Sequence, residues 1–295
     1  MARIAWLQDL CPWEKGGGAQ LTDRAHIGEG IIEGHTVDIY TPNTEGGLRL
    51  DSDLFLISNA SSFNPGVLAD LAETGRTCWF LHDYWPVCKW RLFYPMQERC
   101  RTCQERSRWV PIIRQARLLI WLSPLHRESW LWQCPELADV PYALIPSPVS
   151  TEEFFDMHED REGVICIESL FPFKGRANVV RWAEEHPDIQ VSCLGGNPSP
   201  EPLPPNMVDL GYVPYYDLNN LLNRHRSLLH LPVSPSPFDR TTVEAYLAGC
   251  SIIHNGNVGA LSYDWFRSAS LIKHHMKSSP LKFWDAIEHY CLEEK

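Results

Sequence analysis

No uninterrupted apolar stretch of about 18 residues occurs in this chain, which excludes a hydrophobic membrane-spanning helix. Cations are also in short supply. With 26 Lys and Arg against 37 Asp and Glu, the net charge of −11 excludes a protein that grips nucleic acid or membranes with its whole surface. A partner of that kind would have to be met by a local patch. The beginning, Met1-Ala2-Arg3-Ile4-Ala5-Trp6-Leu7-Gln8-Asp9, turns polar too soon for a secretory signal and lacks a small-residue cleavage site, so it reads as a first strand. Neither the dinucleotide glycine fingerprint nor a Gly-Lys-Ser/Thr phosphate loop is present, and there is no low-complexity tract.

What remains is a globular composition, 44% hydrophobic and 21% charged over 295 residues, enough for two domains at roughly 150 residues each. Ten cysteines without a signal segment point to a reducing compartment, the cytoplasm. Cys78, Cys166 and Cys193 lie inside apolar runs, where a thiol serves as a small hydrophobe.

Apolar runs, glycine turns and helical stretches alternate along the chain. Ile4–Leu7, a Lys15-Gly16-Gly17-Gly18-Ala19 loop, a helix from Leu21 to Glu33 closed by Gly34, and a strand at Thr36–Tyr40 come first. Asp53–Ser58, a helix opened by Asn64-Pro65, Thr77–Leu81, a longer helical region through Arg117 and Leu118–Leu122 continue the pattern. After prolines at 141, 146 and 148 it restarts with strands at Val164–Ile167 and Ile189–Leu194, Val208–Leu210, Ser227–Leu231 and Ser251–His254, with helices at Gly175–Glu185, Asp217–Arg224 and Thr241–Ala248. Such alternation implies parallel sheets covered by helices on both faces. The expected organisation is two doubly wound, Rossmann-like α/β domains: residues 1–150, with a basic insert at 88–117, and 151–278, the boundary falling near 147–160. Residues 279–295 form a closing helix, with Pro280 in its first turn and Leu281, Trp284, Ile287 and Cys291 on one face. Open parallel sheets bind ligands at the carboxyl ends of their strands, so two of them facing each other would line a central cleft with both sets of loops.

The glycine turn at Gly16-Gly17-Gly18 opens a helix, where backbone amides and the helix dipole favour a phosphate; use for tight packing alone is the alternative. A second turn is richer. Ser234-Pro235-Ser236-Pro237-Phe238-Asp239-Arg240-Thr241-Thr242-Val243-Glu244 follows an apolar strand and opens a short helix that Thr241 or Thr242 can cap, with Arg240 adding a cation. This has the composition of a diphosphate cradle. Glu244, one turn in, can accept two hydroxyl hydrogen bonds, as from a ribose; a solvated helix residue is the alternative.

Gly16-Gly17-Gly18-Ala19, Gly34-His35-Thr36-Val37, Leu81-His82-Asp83-Tyr84-Trp85, Pro146-Ser147-Pro148-Val149, Phe171-Pro172-Phe173-Lys174-Gly175, Gly211-Tyr212-Val213 and the Pro237–Cys250 segment stand in one order. In that order they resemble the retaining glycosyltransferases of family four, which have the GT-B fold, over about residues 1–290. The resemblance implies a nucleotide-diphosphate-sugar donor held mainly by the second domain, an acceptor held mainly by the first, and no cofactor or metal required for transfer. It implies that Lys174 contacts the donor diphosphate, that Glu244 binds the ribose and that His82 lies near the donor sugar. Gly17 and Gly18 would close on sugar and diphosphate, and Tyr212 and Val213 would meet the base. Ser236, Phe238, Asp239, Thr241 and Thr242 complete the expected donor loop. Two positions depart from the family: Glu168-Ser169 stands where Gly-Arg is common, with Arg240 as the substitute cation, and Ser236 replaces a glutamate that touches sugar hydroxyls. A non-catalytic nucleotide-sugar-binding relative is the alternative these changes raise. Asp51-Ser52-Asp53 is similar to the metal-binding pair of the other main glycosyltransferase fold, but reads as a solvated strand entrance.

From Lys89 to Arg117 eight cations (Lys89, Arg91, Arg99, Arg101, Arg106, Arg108, Arg114, Arg117) face Glu98 and Glu105, a net +6. Trp90, Phe93, Tyr94 and Trp109 accompany them, a mixture suited to an anionic acceptor such as a lipid surface or a nucleic acid, or to an exposed helix with long cationic stems. Cys88, Cys100 and Cys103 form part of a structural zinc pattern, with Cys134, Cys78 or His126 as fourth ligand; free thiols and a disulfide are the alternatives. The donor base, the sugar, the acceptor and the oligomeric state are not legible from these residues.

Overall fold

The computed structural model describes residues 1–14, 17–45, 47–88, 91 and 103–293. They divide into two compact units, Met1–Pro148 together with Ser278–Lys295, and Val149–Lys277. In the first unit the strands are β1 (Arg3–Leu7), β2 (Thr36–Tyr40), β3 (Leu54–Ile57), β4 (Thr77–Leu81), β5 (Leu118–Trp121) and β6 (Tyr142–Leu144). They form one sheet in the order β2-β1-β3-β4-β5-β6, parallel throughout. Helices α1 (Gly18–Ile32), α2 (Pro65–Glu73), α3 (Gln104–Ile113) and α4 (Pro124–Gln133) make the crossovers. All residues of β3, β4 and β5 are buried, as expected of central strands covered on both faces. Trp6, Trp79, Trp121, Trp130 and Trp284 are fully buried here, so the core of this unit rests on large aromatic surfaces.

The second unit holds β7 (Glu162–Ile167), β8 (Val191–Leu194), β9 (Met207–Asp209), β10 (His225–His230) and β11 (Ser251–His254) in the order β11-β10-β7-β8-β9, again all parallel. Helices α5 (Arg176–Glu185), α6 (Leu218–Asn223) and α7 (Arg240–Leu247) connect them. Its core is built of smaller groups such as Val164, Cys166, Val179, Ala183 and Leu229.

The last helix, α8 (Ala269–Ile287), corrects the expectation that Pro280 opens a helix. The helix starts eleven residues earlier and Pro280 lies inside it. Proline costs a helix one backbone donor and crowds the preceding turn. Burial of Ile272, Met276, Phe283 and Trp284 on both sides favours continuing through it. Leu281, expected on the apolar face, is exposed, whereas Phe283 is fully buried and stacks on His26 with ring centres 4.2 Å apart. Trp284 Nε1 donates to His26 O at 2.7 Å, and a Cβ on Gly30 would fall 2.1 Å from its ring, so this contact needs glycine. Among the described residues no helix is long and apolar enough to cross a membrane.

Candidate functional site

Parallel strands deliver their connecting loops to one end of the sheet, and in the second unit the chemistry gathers there. β7 ends in a tight turn: Glu168 takes a left-handed conformation with φ 52°, and a short 3-10 turn, Pro172–Lys174, leads to Gly175 at φ 113°. A Cβ at Gly175 would sit 2.3 Å from Leu231 O, so glycine is what lets this turn meet the end of β10. Asn178 Nδ2 fastens the same carbonyl at 3.0 Å, while Asn255 and Asn257 donate to Pro232 O. Lys174 is thereby presented from a braced turn, its Nζ 3.7 Å from Glu168 Oε2 and its side chain partly exposed.

The loop between β10 and α7 carries a second group. Asp239, at φ 70°, occupies the N-cap position of α7, which corrects the expectation that Thr241 or Thr242 caps it. Thr242 is fully buried, and its Oγ1 has no hydrogen-bond partner among the described residues. The Asp239 side chain turns instead to His230, with Oδ1 3.1 Å from Nε2, and to the Ser236 hydroxyl. Burial alone would raise the Asp239 carboxyl, but His230, the Ser236 hydrogen bond and the charge of Lys174 outweigh it and hold the group below the usual carboxylate range. Ser236 also accepts the Gly259 N–H at 3.2 Å and lies 3.0 Å from Asn257 O, so its hydroxyl braces the loop. Phe238 is buried beside Tyr263.

One turn into α7, Glu244 is 2% exposed. Its Oε1 accepts the Tyr215 hydroxyl at 2.8 Å and lies 3.6 Å from Arg240, an i,i+4 ion pair. Burial pushes this carboxyl up, against the pull of Arg240 and Tyr215. Burial and the neighbouring negative charge likewise raise the Tyr215 phenol. Arg240 is thus engaged by Glu244 and Tyr215, an attachment the sequence does not advertise. Thr241 is half-buried at the same helix start. Tyr212 and Val213 follow β9 in the turn where Gly195 N bonds Gly211 O at 2.9 Å, and the Tyr212 ring is 84% exposed.

In the first unit, Gly17 is the N-cap of α1, with φ −88° and nothing within 4 Å of the position a Cβ would take; Gly18 begins the helix. Among the described residues the glycine at 17 therefore answers no packing need. His82 follows β4 and is 8% exposed, with Nε2 2.8 Å from Asp23 Oδ1 on α1. Sequence reasoning missed Asp23, Tyr215 and His230, because nothing local marks them as partners of residues far along the chain.

Gly16, Lys89, Trp90, Phe93, Tyr94, Glu98, Arg99, Cys100 and Arg101 lie outside the described residues. The zinc pattern therefore has Cys88 and Cys103 in view without Cys100. Among the described residues no group of three or more His, Cys, Asp or Glu converges to hold a metal ion. The suggested fourth ligands have other surroundings: Trp130 Nε1 donates to His126 Nε2 at 3.0 Å, and burial holds that imidazole down at about 3. Burial pushes the Cys134 thiol up to about 12. Asp51 is exposed and paired with Arg49, and Asp53 Oδ2 accepts the Arg3 N–H at 2.7 Å.

Two parallel-sheet α/β units of this construction define the GT-B fold of glycosyltransferases. Anabaena HepE in complex with UDP-glucose superposes with a TM-score of 0.62 at 14% identity, over 98% of this chain and 96% of that one. WaaG, a glycosyltransferase involved in lipopolysaccharide biosynthesis, gives 0.56 at 14% identity over 99% and 96%. An alpha-glucosyltransferase (AGT) in complex with UDP gives 0.56 at 13% identity over 99% and 98%. At such identities the likeness is one of fold. No protein-family model matches the chain, and no curated protein matches it in sequence.

Proposed function

We propose that this protein is a retaining glycosyltransferase that moves a sugar from a nucleoside-diphosphate sugar, with UDP as the nucleotide, to an acceptor hydroxyl. The observation that carries the reading is the second unit's concentration of Lys174, Arg240 and Glu244 at the carboxyl ends of β7 and β10, beside the opening of α7. Lys174 would neutralise the departing diphosphate, the species on which charge builds as the sugar leaves. The opening turn of α7 adds its dipole. Glu244, with Oε1 already accepting one hydroxyl from Tyr215, has the geometry to accept ribose hydroxyls in its place. Tyr212 and Val213 would border the base, and Ser236, Phe238, Asp239, Thr241 and Thr242 would form the donor loop. Gly17, Gly18 and His82 are assigned to the sugar side.

UDP bound to HepE and to AGT supports the choice of nucleotide for a first trial. The test is release of UDP from a panel of UDP-sugars by the wild type, Lys174→Ala and Glu244→Ala. Turnover unaffected by both changes contradicts the assignment, and tight binding without turnover favours a non-catalytic binder.

A nucleic-acid acceptor is a second reading. It is favoured by the net +6 of residues 89–117 and by an alpha-glucosyltransferase in complex with UDP and a 13-mer DNA, which superposes with a TM-score of 0.52 at 12% identity. Binding that weakens steeply as salt rises supports it; salt-insensitive binding to DNA, or binding to anionic vesicles alone, opposes it.

A further inference from the structure

Asp23 is a fully buried carboxylate on the sheet-facing side of α1, and it has no Lys or Arg partner among the described residues. Its neighbours come from the ends of two adjacent strands. Ser58, just after β3, donates its hydroxyl to both carboxylate oxygens at 3.0 and 2.8 Å. His82, just after β4, brings Nε2 to 2.8 Å from Oδ1. The imidazole has one other nitrogen, and Nδ1 makes no hydrogen bond among the described residues. A second imidazole is close but cannot substitute: His26 is fully buried, neither of its ring nitrogens has a partner among the described residues, and burial keeps it uncharged.

A carboxylate only accepts hydrogen bonds, so the nitrogen facing it must carry the proton. That fixes which face of the His82 ring is a donor and leaves Nδ1 as the atom free to engage a hydroxyl. A buried carboxylate braced by a serine is an expensive arrangement to retain without a task, since burial takes the group away from the water that would solvate it. We propose that Asp23, braced by Ser58, is a positioning residue: it locks the His82 imidazole with Nε2–H turned into the fold and Nδ1 presented to a hydroxyl of the donor sugar. Asp23 does not touch substrate; it acts through His82. The logic is that of a carboxylate that selects a histidine tautomer and holds the ring in orientation. The proposal deepens the sugar-transfer reading and rests on it for the identity of the hydroxyl, whereas the Asp23–His82 arrangement itself can be tested without turnover.

Asp23→Asn, Ser58→Ala, His82→Ala and the Asp23→Asn/His82→Ala double variant, each checked for an unchanged melting temperature, are compared in two assays. In the first, turnover of UDP-glucose to UDP is measured. Asp23→Asn is expected to lower kcat about 10- to 100-fold with KM altered less than about twofold, and to cost nothing further in the His82→Ala background. A purely structural role would give additive losses, which overturns the proposal. In the second, proton NMR follows the ring N–H of His82. The wild type should show a hydrogen-bonded Nε2–H protected from exchange, weakened in Ser58→Ala and lost in Asp23→Asn. A proton on Nδ1 in the wild type, or an Nε2–H signal that survives Asp23→Asn unchanged, overturns it. Should wild-type protein leave UDP-glucose intact while the Nε2–H signal behaves as expected, the donor reading is what has failed and the Asp23–His82 lock stands.

Discussion

Each compact unit sets a buried carboxylate against an imidazole at the carboxyl ends of its parallel strands, Asp23 with His82 at 2.8 Å in the first and Asp239 with His230 at 3.1 Å in the second. Their surroundings differ. Around Asp23 the further partner is a serine hydroxyl, and the pair sits over a core of large aromatic rings. Around Asp239 the Ser236 hydroxyl is joined by the charge of Lys174; Arg240 follows directly in the chain, and Glu244 comes one turn on. The same backbone plan thus leaves the pair without a Lys or Arg partner among the described residues of one unit and sets Lys174 near it in the other. A parallel sheet supplies the position, and the side chains at its strand ends decide what is bound there.

The largest effect that would sharpen this contrast is at Lys174. Lys174→Ala should lower kcat for sugar transfer about 10²- to 10³-fold, on the order of 3–4 kcal/mol, with little change in melting temperature because the amine is partly exposed. A comparable loss of fold stability would mean that the lysine serves the fold. Next comes Glu244→Gln, expected to weaken UDP binding about 10- to 100-fold by calorimetry, since hydrogen bonds to a charged acceptor contribute about 1.5–3 kcal/mol. Because burial raises this carboxyl, wild-type affinity for UDP should fall, as pH is lowered, at a pH above the ordinary glutamate midpoint of about 4.3.

Gly175→Ala should destabilise the second unit by at least about 1–3 kcal/mol in urea titration, from the left-handed backbone and the Leu231 carbonyl together. Asp239 gives a smaller, pH-dependent signature. Its carboxyl is held low in the folded chain, so its contribution is present above the unfolded value of about 3.9 and is lost as pH falls through the folded one. The gap in melting temperature between wild type and Asp239→Asn should therefore be widest near neutral pH and shrink below about pH 4. Smallest in stability is Gly17→Ala: with open space at the Cβ position and an ordinary φ it should shift ΔG by less than about 0.5 kcal/mol, while turnover falls if the bare backbone is needed next to a ligand.

The fold was largely legible because all-parallel sheets announce themselves as short, fully apolar runs between glycine and proline signals. β11 matches its expected span residue for residue, and most other strands and helices differ by one or two residues at an end. β6 escaped notice because three residues between Pro141 and Pro146 carry too little pattern. Ser123-Pro124 is the one sequence signal for α4, an ordinary helix start in which the Ser123 hydroxyl accepts the His126 N–H. A proline after two serines has the look of a helix start, whereas tertiary burial on either side of Pro280 keeps the helix going. At the site, Lys174, Arg240 and Glu244 could be picked out from turn composition and family likeness. Their partners could not. Tyr215 is 29 residues from Glu244 and Asp23 is 59 from His82, and only the return of the chain through parallel crossovers brings such positions together.

A crystal structure of the chain with UDP tests the central claim most directly. The account predicts the diphosphate against Lys174 and the opening of α7, and the ribose hydroxyls on Glu244 with the Tyr215 hydroxyl displaced. UDP lodged away from the carboxyl ends of β7 and β10, or a Tyr215–Glu244 bond left intact beside a bound nucleotide, would contradict it.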